Sequence, residues 1–393
     1  MISLLLRLKR FCGFIFGVVF FLSGAVKLMD PVGAGLVMQE YYDFLHMGFL
    51  EPTAKLFGTA LALAESLIGA ALICGVWRRT TGFIALILQC AFTILTLLLY
   101  IYNPEMDCGC FGEAIHLTHK QTFVKNLILL ALILTYYIPS KHLGETRTRK
   151  YISFSIVSIS MICFTVYSLF YIPLVDFTAY KPGAELLTSA SEGGDDLYEA
   201  VFTYEKDGMR GTFSLEELPE DIATWTFVGT DTRIKKDFAD SIIEISIFNP
   251  RSQRYVDSMA GKGKVMIISM YETDFTAEEW DTIEDLVQNA KKCGINALLL
   301  ATGTDDIPEN LQKITYTSDY KTLVSLNRSN GGVTYFRNGI LIKKWANRSL
   351  PDIATIKEVA TDDPTETAID HQSKGSLGFQ GFLLYVFAVM LLL

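Results

Sequence analysis

Apolar residues gather in runs near 11–29, 54–76, 79–102, 121–139 and 151–171. Each reaches roughly the 20 residues that a bilayer core demands, so five membrane helices are predicted. A shorter sixth run, 377–393, carries FLLYVFAVMLLL. Between 172 and 376 the pattern is different. LYEAVFTY and MRGTFSL predict a hairpin across Asp207-Gly208, after a glycine-rich loop at Ser191–Gly194. KVMIISM (264–270) reads as a buried strand. A helix follows from Thr276 to Cys293, opened by the capping box Thr276-x-x-Glu279. Its apolar face carries Trp280, Ile283, Leu286, Val287 and Ala290. INALLLA (295–301) is a second strand, and short helical stretches follow it. GVTYFR and ILIKKW pair across Asn338-Gly339, and Pro351-Asp352 opens a last helix. The order is βαβαββα. Residues 361–376, TDDPTETAIDHQSKGS, read as a flexible polar linker.

Composition agrees with a membrane chain. Half of the 393 residues are hydrophobic and 20% are charged, and the mean hydropathy is +0.30. A purely cytoplasmic enzyme is not usually so apolar. The formal charge of −9 excludes the basic footprint of a nucleic-acid binder. Residues 1–171 hold 13 Lys/Arg and 9 Asp/Glu, whereas 172–376 hold 21 and 34. Two bodies with different solvents are therefore joined in one chain.

Loop charge sets the expected orientation. Arg7, Lys9 and Arg10 precede the first span, Arg78 and Arg79 separate the second from the third, and Lys141, Arg147, Arg149 and Lys150 follow the fourth. The alternate loops are acidic: Asp30, Glu40, Asp43 and Glu51 on one, Glu105, Asp107 and Glu113 on the other. The positive-inside rule puts the N-terminus in the cytoplasm and residues 172–376 outside. A secretory signal with a cleavage site near Ser23-Gly24-Ala25 is the competing reading of the first span.

Polar residues inside the spans are few. Glu65 sits mid-span, where a carboxylate titrates, contacts a quinone headgroup, or finds a helix partner. Gln89 is the expected partner, because Lys27 lies near the end of its span and would snorkel outward. Gly58, Ala62, Gly69 and Gly75 are expected to let helices approach closely.

Seven cysteines are present, and Cys12, Cys74, Cys90 and Cys163 fall in spans, where they read as small buried hydrophobes. Cys108 and Cys110 lie in an outer loop, NPEMDCGCFGEAIHLTHKQ. A Cys-x-Cys disulfide closes a strained small ring, which suits electron or disulfide transfer better than stapling. Gly109 frees the backbone for that turn. Three readings stay open: a redox dithiol, a zinc or copper site from Cys108, Cys110, His116 and His119, and a structural loop.

FLSGAVKLMDP (21–31), AESLIGAALICG (64–75), DCGCFGEA (107–114) and LTHKQTFVKNLILL (117–130) together resemble the MauE/DoxX-like membrane proteins. The likeness covers roughly residues 10–140. It implies a four-helix bundle in a bacterial inner membrane, associated with redox chemistry and with maturation of disulfide-rich partners. It makes Cys108 and Cys110 the redox pair, and it matches Glu65 to a recurring acidic position. A membrane quinone is the expected electron acceptor. Residues 251–360 are similar in element order to a thioredoxin-like domain. Two departures stand out: YETDFTAEE replaces the Cys-x-x-Cys stretch, and Asn330-Gly331-Gly332 stands where a cis-proline is expected. Cys293, at the end of the helix, is expected to be a buried thiol.

The expected architecture is a membrane α-helical bundle, with a four-helix MauE/DoxX-like core (1–140), a fifth span (151–171) and a sixth (377–393). It carries an α/β thioredoxin-like extracytoplasmic part, with a β-rich segment (176–250) before the α/β segment (251–360) and the linker (361–376) after it. The expected partners are membrane lipid and a protein client in the periplasm. The leading function is a thiol/disulfide or quinone-linked oxidoreductase in which the outer domain binds without catalysing. The alternative is a non-catalytic membrane subunit or assembly factor.

Overall fold

The computed structural model describes residues 2–392 except 105, 107, 116, 139–145, 187–197, 207–208, 215–221, 235–241, 244 and 305. The chain forms two compact units. One comprises Met1–Phe177, Trp345–Ser349 and His371–Leu393, and the other Thr178–Lys344 and Leu350–Asp370.

The first unit is helical. It contains α1 (Ile2–Met29), α2 (Pro31–Phe44), α3 (Ala54–Cys74), α4 (Arg78–Tyr102), the short strand β1 (Cys110–Glu113), α5 (His119–Tyr137) and α6 (Thr148–Phe170). Most of the helix Pro364–Leu392 joins them. Among the described residues five helices are long and apolar enough to cross a membrane: Leu6–Met29, Gly48–Cys74, Arg78–Tyr102, Thr148–Phe170 and Pro364–Leu392. The expected span 121–139 is α5, which is less apolar because Lys120, Lys125 and Asn126 occupy its first turns.

Small residues bring α1 and α3 together. A side chain at Gly69 would meet the Gly17 carbonyl oxygen at 2.6 Å and the Phe21 backbone nitrogen. Gly58 lies as close to α2, where a Cβ would stand 2.6 Å from the Ala34 carbonyl oxygen. Gly75 does not belong to this stripe. It closes α3 as a left-handed C-cap at φ +70°, a conformation open to glycine without strain. Between α4 and α5 the contact is polar: Gln89 Nε2 donates to the Asn126 carbonyl at 3.0 Å, and Asn126 Nδ2 to Thr96 Oγ1 at 3.1 Å. Such bonds satisfy groups that lipid cannot.

Two expectations about connections are corrected. The acidic segment after the first span is not a loop but α2, with Asp30 capping the Gly33 N–H at 2.9 Å and Pro31 at its first position. The polar stretch 361–376 is not a linker. Asp363 Oδ1 accepts the Thr365 and Glu366 N–H groups at 2.9 and 3.0 Å, and the helix runs on from Pro364. The cysteines of the spans also differ among themselves: Cys12 and Cys74 are buried, Cys90 is half-buried, and Cys163 is exposed on its helix.

The second unit is built on sheets. In chain order its strands are β2 (Glu185–Leu186), β3 (Tyr198–Lys206), β4 (Met209–Ser214), β5 (Thr226–Ile234), β6 (Ile242–Ile243), β7 (Phe248–Asn249), β8 (Arg254–Tyr255), β9 (Lys264–Met270), β10 (Asn296–Ala301), β11 (Thr315–Thr317), β12 (Gly332–Arg337) and β13 (Ile340–Trp345). Nine form one sheet in the order β6-β2-β13-β12-β9-β10-β11-β7-β8, and β4-β3-β5 form another. β3 and β4 pair antiparallel from Val201↔Ser214 to Lys206↔Met209, as the hairpin pattern predicts. Its turn, Asp207-Gly208, and the Ser191–Gly194 stretch lie outside the described residues. Strands on both sides of residue 250 share the large sheet.

At the centre of that sheet β9, β10 and β11 run parallel, and β12 lies antiparallel to β9. β9 is buried along nearly its whole length, as a continuous apolar run requires. The helix α7 (Ala277–Lys292) follows β9, with the Thr276/Glu279 capping box present in both directions. Ile283, Leu286 and Ala290 are buried, whereas Trp280 and Val287 are only partly so. Cys293 is half-buried at the C-cap of α7 rather than in the core.

Candidate functional site

The loop between α4 and α5 is held by a turn that only glycine fits. Gly109 sits at φ +56°, and a Cβ there would overlap the Val37 side chain of α2. Gly109→Ala therefore combines a left-handed backbone penalty of about 1 kcal/mol with a steric clash. The variant is expected to melt earlier than wild type, and Val37→Ala added to it should recover only part of the loss. Full recovery would mean that the backbone conformation carries no cost.

That turn places the two cysteines differently. Cys108 is 3% exposed and Cys110 is half-buried. Cys108 Sγ lies 3.0 Å from His119 Nδ1 at the start of α5. His119 Nε2 lies 3.0 Å from the Pro104 carbonyl oxygen, which can only accept. The proton therefore sits on Nε2, and Nδ1 faces the thiol as an acceptor. A capping box between Thr118 and Gln121 fixes the helix start that carries this ring. The Tyr41 hydroxyl of α2 donates to the Cys108 carbonyl. Burial raises the Tyr41 phenol well above its ordinary value, and charge on Cys110 and Cys108 would raise it further, so it remains a neutral donor.

Beneath the loop lies a buried ion pair. Glu65, 1% exposed, receives Lys27 Nζ at 2.8 and 2.9 Å on its two oxygens. Ser23 Oγ lies 2.9 Å from Glu65 Oε2 and 2.7 Å from the Cys110 carbonyl oxygen, linking the carboxylate to the cysteine loop. The expected partners are corrected on both sides. Lys27 turns inward instead of snorkelling, because Glu65 offers it a charge inside the bundle. Gln89 points to α5 instead.

These groups line one end of a cavity of about 620 Å³ enclosed by α1 to α5. Its walls are otherwise apolar, with Phe20, Met38, Leu61, Phe92 and Leu129 among them. Leu45, Phe57 and Ala91 line it and are also exposed on the bundle surface, which marks where it opens. The volume falls within the range of small-molecule sites, roughly 300–1,000 Å³.

The structure thus gathers Glu65, Cys108, Cys110 and His119 at one place. His116 and Asp107 lie outside the described residues, as does the side chain of Glu113. Among the described residues no group of three or more His, Cys, Asp or Glu side chains is placed to hold a metal ion. Sequence reasoning missed Ser23, Lys27 and Tyr41 as site residues. The signal for two of them was present, since Ser23 and Lys27 are four apart and share a helix face.

Residues 4–139 match the family model for the methylamine utilisation protein MauE. This stretch contains every site residue above and three of the helices long and apolar enough to cross a membrane, and over it the chain is similar to MauE. Residues 198–237 match a domain of unknown function. No curated protein and no solved structure matches the chain.

Proposed function

We propose that this MauE-like membrane protein is a thiol/disulfide relay in which Cys108 and Cys110 cycle between dithiol and disulfide. The observation that carries the reading is the 3.0 Å contact between Cys108 Sγ and an imidazole nitrogen free to accept its proton. A thiolate, not a thiol, is the attacking and leaving species in disulfide exchange. His119 supplies the group that takes up and returns the proton of Cys108.

The unequal exposure of the two cysteines divides their roles. In the oxidised form a client thiolate attacks the accessible sulfur of Cys110. The S–S bond breaks, and Cys108 leaves as a thiolate that His119 reprotonates. A second client thiolate then attacks the mixed disulfide and releases Cys110. The client gains one disulfide and the pair becomes a dithiol. The site faces the bacterial periplasm in this reading, the side that allows disulfides. The matching family model is named for methylamine utilisation, and a client that serves that use is in keeping with it.

The second unit would recognise the client. The strand order β13-β12-β9-β10, with α7 joining parallel β9 and β10, supports a thioredoxin-like centre. No cysteine stands at the start of α7. There, Asn330 instead clamps the end of β9, its Oδ1 accepting the Tyr271 N–H at 2.9 Å and its Nδ2 donating to the Glu272 carbonyl at 2.8 Å. Both features support a binding role without exchange chemistry.

The test is the thiol state of Cys108 and Cys110 in acid-quenched membranes, read by a mass-tagging alkylator. A disulfide that appears with an oxidised respiratory chain and vanishes with a reduced one is expected. Thiols that never change would sink the relay and leave a structural loop.

A further inference from the structure

We propose that Tyr41 is a positioning residue that holds the Cys108–Gly109 peptide in its dithiol conformation and so makes the Cys108/Cys110 disulfide a stronger oxidant. The inference rests on the relay reading and names what sets its direction. Both cysteines are free thiols in the structure, so the turn around Gly109 is the reduced one. Contacts from two helices hold it. The Tyr41 hydroxyl of α2 donates to the Cys108 carbonyl. Val37, four residues earlier and on the same face of α2, fills the space beside Gly109. From α1, Ser23 Oγ lies 2.7 Å from the Cys110 carbonyl oxygen.

The two carbonyls are not equivalent. A disulfide between Cys108 and Cys110 closes a small ring whose backbone is the Cys108–Gly109 and Gly109–Cys110 peptides. The Cys108 carbonyl belongs to that ring. The Cys110 carbonyl belongs to the next peptide, at the start of β1. Joining the sulfurs draws Cys108 Sγ away from His119 Nδ1, now 3.0 Å from it. A ring this small closes through its backbone torsions as well as its side chains, so the Cys108 carbonyl turns. The Tyr41 hydroxyl does not follow it, because α2 is seated on α3 through the close approach at Gly58. A hydrogen bond made to the dithiol and weakened in the disulfide favours the dithiol. A pair whose reduced form is stabilised is the stronger oxidant, as client oxidation requires.

The test uses the full-length protein in detergent, equilibrated with mixtures of reduced and oxidised glutathione. Two glutathione thiols then give their electrons and protons to the two protein sulfurs. The Cys108–Cys110 S–S bond breaks as the S–S bond of oxidised glutathione forms. The state of both cysteines is read by mass spectrometry of alkylated peptides. Tyr41→Phe keeps the ring and removes the donor. Its reduction should be about fivefold less favourable than that of wild type, the scale of one neutral hydrogen bond. That factor is ~20 mV at about 30 mV per tenfold change. Ser23→Ala should shift the constant the same way but by less. Its one proton is shared with Glu65 Oε2 at 2.9 Å, and the carbonyl it meets lies outside the ring.

Thermal unfolding of both redox forms separates positioning from folding. Tyr41→Phe should cost the dithiol form more than the disulfide form, whereas a merely structural hydroxyl costs both alike. A wild type that equilibrates with glutathione, beside a Tyr41→Phe constant that is unchanged or shifted toward reduction, would overturn the role of Tyr41 and leave the relay standing. Equal loss of stability in both redox forms would overturn it too. Wild-type thiols inert to glutathione would remove the relay and this inference with it.

Discussion

Cys108→Ser and Cys110→Ser are each expected to reduce client oxidation to the rate of the uncatalysed exchange, but to fail in different ways. A two-cysteine relay cannot run on one sulfur, because the intramolecular disulfide that stores the oxidising equivalent no longer forms. The variants are told apart by what they trap. Cys110 is half-buried and Cys108 is 3% exposed beside His119. In Cys108→Ser the accessible Cys110 attacks an oxidised client and stays bonded to it, since the resolving thiol is missing. A mixed disulfide then accumulates on non-reducing gels. In Cys110→Ser the buried Cys108 gives little of it. His119→Ala should slow both formation and release, because the imidazole that exchanges the proton of Cys108 is then gone. Equal trapping by both variants would contradict the division of roles. A double Cys108→Ser/Cys110→Ser protein that still supports growth of a deletion strain would favour the assembly-factor reading instead.

Lys27→Met alone is expected to destabilise the protein by about 3–5 kcal/mol, the scale for leaving one partner of a buried ion pair without the other. Glu65 would then hold an uncompensated charge at 1% exposure, with Ser23 the hydrogen-bond donor left to it among the described residues. Adding Glu65→Leu should return most of the stability, since an apolar pair replaces an ionic one at little net cost. Thermal unfolding of the three proteins in one detergent checks this. A single variant as stable as wild type would mean that the ion pair does not hold the bundle together.

The sequence by itself determined a good deal of this protein. Hydropathy placed the long helices, because in lipid a chain must satisfy every backbone polar group internally, and an apolar run of spanning length has little other choice. The capping box at Thr276 and the Asn338-Gly339 turn were legible for a similar reason, being set by residues adjacent in the chain. Cys108, Cys110 and Glu65 were visible as chemistry out of place in their surroundings. What the sequence left open was pairing over distance. Lys27 lies 38 residues from Glu65, and both Gln89 and open lipid headgroups were reasonable competitors until the helices were packed. α2 read as an acidic loop because Glu40 and Asp43 sit in a short amphipathic stretch, and only its packing through Gly58 shows it to be a wall of the cavity. His119 was a loop histidine with several roles open to it until the cap at Thr118 set its ring between Cys108 and the Pro104 carbonyl. Local elements follow from neighbouring residues. The site depends on which helix faces meet, and that is decided by small residues such as Gly17, Gly58 and Gly69 acting across helices, where no single stretch of sequence carries the information.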